Sequence, residues 1–148
     1  MSTTTPAFGA ALLGQTEKTL NVILDRQLVG TGLNEHLWIT LTLAVTAGGT
    51  LDRDQLAGRV AGGVKVTEAQ AQARIAELID ANLLETPAGD EPGLSVTETG
   101  QELHRCIRTA VGDITQRLWG DLPAEDLNTA GRVLGTVLER ANAELAVV

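Results

Sequence analysis

Aromatic side chains are nearly missing: they make up 2 % of the 148 residues, with no tyrosine, one phenylalanine and two tryptophans. The interior must therefore be built from Leu, Val, Ile and Ala, a palette that suits packed helices and suits a β-sandwich poorly. Cysteine is reduced to Cys106, which excludes an internal disulfide and fits a reducing compartment. No run approaches the roughly 20 apolar residues needed to cross a bilayer. The opening MSTTTPAFG has neither the basic start nor the apolar run of a signal peptide, so the expectation is a cytoplasmic protein with no membrane partner. Basic residues are scarce too, 11 against 19 acidic, for a net charge of -8. Taken alone, that balance argues against non-specific affinity for a polyanion. A chain of this length buries one core, or one core with a helical extension, and not two enzyme-sized domains.

What is present is helical periodicity broken by glycine. Leu13, Leu20, Ile23, Leu24 and Leu28 recur at helical spacing, predicting a first helix from about Pro6 to Val29 that Gly30-Thr31-Gly32 ends. Asn34 is placed to cap a second helix carrying Leu37, Trp38, Leu41 and Val45 on one face, with Gly48-Gly49 as its stop. A short third helix opens at Asp52 and runs to about Ala61, closed by Gly62-Gly63. Thr67 and Gln70 have capping-box spacing and start a fourth helix. Its Ala71, Ile75, Leu78 and Ile79 face the core, while Glu68, Gln72 and Ala73 face outward. From Leu83 the pattern becomes extended, and turn residues from Pro87 to Gly93 separate it from Leu94-Ser95-Val96, which reads as a hairpin. Thr97 is placed to cap a fifth helix bearing Leu103, Ile107, Ala110, Val111, Ile114 and Leu118 and ending near Gly120.

The last segment starts at Asp121-Leu122-Pro123, with proline suited to a first helical turn. Its Leu127, Gly131, Leu134, Leu138, Ala141 and Leu145 form a heptad seam. A stripe of this kind at the end of a small chain needs a partner surface. The expectation is a homodimer joined through the terminal helices, against a terminal helix folded back on its own core. A capped helix after a tight turn, followed at once by a hairpin, is the order of a winged helix-turn-helix, whose capped helix enters a major groove. The fold class is thus mainly α, with a two-stranded β-wing and long N- and C-terminal dimerisation helices. The division is 1–32 for the N-terminal dimerisation helix, 33–100 for the DNA-binding lobe and 101–148 for the C-terminal dimerisation helices.

Four stretches, in order, resemble the MarR family of transcriptional regulators: LNEHLWITL, TLDRDQLAGRV, IAELIDANLLE and LSVTETGQEL. The resemblance runs from about Leu12 to Leu145. It implies an obligate dimer that binds pseudo-palindromic double-stranded DNA, most often as a repressor, and releases it when a small phenolic or aromatic effector binds. Carried over position by position, the base-facing part of the recognition helix is Thr67, Glu68, Gln70, Ala71, Gln72 and Ala73, with Arg74 beside it. Arg53, Arg59 and Lys65 complete the set expected at DNA. Gln suits adenine edges, and Thr suits a phosphate or a thymine methyl. The chain departs from the family where Ala73 stands in place of a basic residue and where the wing reads Asp90-Glu91-Pro92 in place of Asp-x-Arg.

From Gly62 to Val96, Lys65 and Arg74 face six carboxylates, a net charge of -4. That predicts weak or highly selective DNA binding. It also supports a rival reading, a winged-helix dimer that has lost DNA binding and serves as a small-molecule- or protein-binding module. For the effector, Trp38 is either a core aromatic or a pocket wall, and His36 and Arg26 are either surface residues or lining of the same cleft. His104 and Cys106 lie two apart on a helix and diverge, so they do not make a metal site. No nucleophile with a base, no paired carboxylates in a pocket and no phosphate-cradling loop is present, so neither an enzyme nor a cofactor is expected.

Overall fold

The structure is a computed structural model, and it describes residues 4–87 and 93–147. Six helices and one small sheet follow in the order α1 (Ala10–Leu28), α2 (Glu35–Ala47), α3 (Arg53–Val64), α4 (Glu68–Asp80), β1 (Leu84–Glu85), β2 (Ser95–Val96), α5 (Glu98–Trp119) and α6 (Ala124–Ala146). This is the expected winged-helix order. The chain divides into two compact units, one running to Val111 and one from Gly112 onward.

In the first unit, α2, α3 and α4 pack around Leu41, Leu56, Val60, Ile75 and Leu78, all essentially without solvent contact, with Leu84 of β1 closing the core beside them. Local chemistry fixes where each helix starts. The Asn34 side chain accepts from the Leu37 N–H at 2.9 Å. Asp52 and Gln55 form a reciprocal capping box at α3, with bonds of 2.8 and 2.9 Å, and Thr67 and Gln70 form another at α4, with bonds of 3.1 and 3.0 Å. Helix α1 starts later than its periodicity suggested, at Ala10 rather than Pro6.

The end of α3 is displaced from its expected place. Gly62 and Gly63 stay helical, and the left-handed residue that closes the helix is Lys65, at φ 59° and ψ 49°. Val64 and Val66 both pack against the core. The reversal therefore falls on the residue between two anchored valines, not on the glycines that would adopt it at least cost.

β1 and β2 pair antiparallel, Leu84 with Val96 and Glu85 with Ser95. The wing tip at Asp90-Glu91-Pro92 lies outside the described residues. Two glycines hold the base of the wing. Gly93, at φ +97°, lies so close to Gly49 that an added Cβ would meet the Gly49 carbonyl oxygen at 2.0 Å, and Leu94 N–H donates to Leu51 O at 2.8 Å. At Gly100, a Cβ would come within 2.3 Å of the Leu83 carbonyl oxygen. The Thr97 hydroxyl accepts from the Gly100 N–H at 2.9 Å and donates to Asn82 O at 2.7 Å. The Thr-x-x-Gly of the sequence is thus a cap and a close approach that tie the start of α5 to the end of α4.

In the second unit, Pro123 sits at the N-cap of α6 in extended conformation, one place before the helical turn expected for it. No residue of α6 is buried. Leu134, Leu138 and Leu145 of the heptad seam are exposed, the last two at 60 % and 70 %. Among the described residues no helix is long and apolar enough to cross a membrane.

Candidate nucleic-acid interface and ligand cleft

Helix α4 buries Ala71, Ile75 and Leu78 and leaves Glu68, Gln70 and Ala73 exposed. Ala71, assigned to the base-facing set by resemblance, is turned fully into the core. The period of the helix decides this, because Ala71 shares its face with Ile75 and Leu78. Thr67 and Gln70 are exposed, but their mutual capping bonds engage the Thr67 hydroxyl and the Gln70 side-chain oxygen.

Arg53 and Gln72 are brought together across α3 and α4. Arg53 Nε donates to Gln72 Oε1 at 2.7 Å, and its Nη2 reaches the Gln72 carbonyl at 3.4 Å. Gln72 Nε2 donates in turn to Asp54 Oδ1 at 2.9 Å. Both ends of this amide are thus occupied, and reading an adenine edge requires both. Lys65 Nζ donates to Gly62 O at 2.8 Å, and Arg59 is exposed on α3.

Arg74 has a different setting. It is half-buried, and its Nη1 is buried with no hydrogen-bond partner among the described residues. Its side chain lines a cleft of about 370 Å³ together with Glu17 and Asn21 of α1, Glu35, His36 and Ile39 of α2, and Gly63, Val64 and Val66 around the end of α3. Asn21 Nδ2 donates to Glu17 Oε1 at 2.9 Å, a pairing one helical turn apart that holds the carboxylate.

Of the residues expected at an effector, His36 lies in this cleft, while Trp38 and Arg26 are not among its lining residues. His36 and Trp38 are two apart on α2 and so point in different directions. Trp38 stacks on His104 of α5, with ring centroids 4.8 Å apart and planes 19° apart, and His104 Nε2 lies 3.3 Å from the Thr42 hydroxyl. Burial pushes the His104 imidazole below its ordinary pKa, and the positive charge of Arg108 adds to the effect. Arg26 is exposed in the last turn of α1, where a cation suits the helix dipole. Sequence reasoning missed Glu17, Asn21, Glu35 and Ile39. The only sign of them was the one-turn spacing of Glu17 and Asn21. Among the described residues no group of His, Cys, Asp and Glu is placed to hold a metal ion, and Cys106 is exposed.

No protein-family model matches the sequence, and no curated protein is similar to it. Solved structures do share its fold. A MarR family transcriptional regulator from Silicibacter pomeroyi superposes with a TM-score of 0.75 at 20 % identity, covering 91 % of this chain and 90 % of its own. CouR from Rhodococcus jostii RHA1, bound to p-coumaroyl-CoA, gives 0.73 at 20 % identity over 85 % and 88 %. S. aureus MepR in complex with DNA gives 0.71 at 16 % identity over 88 % and 94 %. The architecture of this chain is thus the winged-helix fold seen in MarR family regulators.

Proposed function

We propose that this protein is a dimeric, ligand-responsive DNA-binding regulator of transcription, acting as a repressor. The observation that carries the reading is the capped α4 projecting a polar edge beside a two-stranded wing, on a fold shared with MepR, solved on DNA, and with CouR, solved bound to p-coumaroyl-CoA. Residues 33–100 form the DNA-binding lobe. Arg53, Arg59, Lys65, Thr67, Gln70, Gln72 and Arg74 supply its polar contacts.

The flanking segments, 1–32 and 101–148, supply the dimerisation helices. The uncovered leucine seam of α6 supports this assignment, as does Val22, exposed on α1. A second copy is the occupant that a heptad seam fits, because the same seam on both helices interdigitates.

The test is fluorescence anisotropy against the gene's own upstream DNA at about 50 mM salt, with unrelated DNA of equal length as control. Binding to the upstream DNA that is at least about 100-fold tighter supports the reading. Equal or absent binding defeats it.

A second reading has its own observation. The stretch from Gly62 to Val96 carries a net charge of -4, and Gln72 is satisfied within the protein. A winged-helix dimer that binds a small molecule or a protein without DNA accounts for both, and the control-like outcome of the titration would favour it.

A further inference from the structure

The cleft beside α4 has a mixed character that narrows its ligand. Its charged lining is one guanidinium, Arg74, and two carboxylates, Glu17 and Glu35. A simple anion would meet Arg74 but also two like charges. A simple cation would meet the carboxylates and leave Arg74 Nη1 buried without an acceptor, as it is now. A molecule bearing both charges satisfies both sides. The planar guanidinium fork favours a carboxylate over a single-atom acceptor.

The apolar lining is aliphatic, Ile39, Val64 and Val66, and the His36 imidazole is its one ring, with no Phe, Tyr or Trp among the lining residues. Its volume of about 370 Å³ lies at the small end for ligand pockets, which run from roughly 300 to 1,000 Å³.

We propose that this cleft binds a compact aliphatic zwitterion, with a carboxylate on Arg74 and an ammonium group on Glu17 and Glu35. The proposal deepens the ligand-responsive reading and rests on it only for the effect on DNA. Arg74 belongs to the recognition helix itself. A guanidinium engaged by the ligand is withdrawn from any phosphate, so occupancy and DNA binding oppose each other through one side chain.

The test uses the full chain without DNA and three matched probes: L-leucine, 4-methylpentanoate, which lacks the amine, and 3-methylbutylamine, which lacks the carboxylate. Calorimetric or NMR titration should show leucine binding at least tenfold tighter than either fragment. Arg74→Gln should abolish that advantage, and Glu17→Gln with Glu35→Gln should reduce leucine to the level of 4-methylpentanoate. Arg74→Lys keeps the charge and loses the fork, so it serves if the glutamine variant fails to fold, and it should weaken leucine while sparing the amine. Leucine no tighter than its fragments, or unaffected by the Arg74 variants, overturns the proposal. If leucine binds as expected and no operator is found, the cleft stands and the regulator reading falls. Selective DNA binding with no leucine binding gives the reverse.

Discussion

His104 shows how much one buried side chain can set. Its ring is stacked on Trp38, sits by Thr42 Oγ1 and is kept below its usual pKa by burial and by Arg108. The folded state therefore holds His104 neutral at pH values where the unfolded chain, titrating at 6.5, takes up a proton. The unfolded state binds more protons in that window, so stability rises with pH there. The contribution is complete above pH 6.5 and is lost as pH falls from 6.5 to the lowered folded value. Chemical denaturation at pH 7.5 and 5.5 should show a drop in the wild type that His104→Gln largely removes. An equal drop in both would assign the effect to other groups. The sequence named His104 only as a poor metal ligand, because nothing local reveals that a residue of α5 will meet Trp38 from α2.

Elements were legible where a short-range signal settles them. Asn34 and Thr67 cap the helices they were expected to cap, and Ala71, Ile75 and Leu78 are buried as their spacing required. The end of α3 was not legible, because glycine permits a reversal without directing it, and the position was decided by Val64 and Val66 in the core. The wing was legible as a hairpin, but its anchorage was not. Gly93 needs both its positive φ and its missing Cβ against Gly49. Gly93→Ala should therefore cost at least about 2 kcal/mol, combining left-handed strain with displacement of the α2–α3 turn. A shift of the urea midpoint measures it. Gly58→Ala, on an open part of α3, provides the control and should be neutral or slightly stabilising.

At the scale of the whole molecule, the cleft draws on the first four helices, from Glu17 to Arg74, so no short window of the sequence contains it. The proposed dimer is the opposite case, since the seam of α6 on which it rests can be read directly from its spacing. With Leu134 and Leu138 exposed on a helix that buries nothing, sedimentation should find a dimer at micromolar concentration. Leu134→Glu with Leu138→Glu places four carboxylates in the joined seam and should raise the dissociation constant at least about 100-fold. If the double variant and the wild type sediment alike as dimers, α6 is not the joining surface.

Under the proposed DNA-binding reading, the Arg53–Gln72–Asp54 chain of hydrogen bonds is a built-in competitor for the duplex. Any duplex that recruited the Gln72 amide would first have to replace two bonds the protein already makes with itself, and only a base pair offering equivalent partners repays that exchange. Other duplexes would leave the amide where it is and be held by their backbones alone, weakly, against the net charge of -4 between Gly62 and Val96. A chain so poor in cations would then sit idle on most of a genome and commit only at a few places.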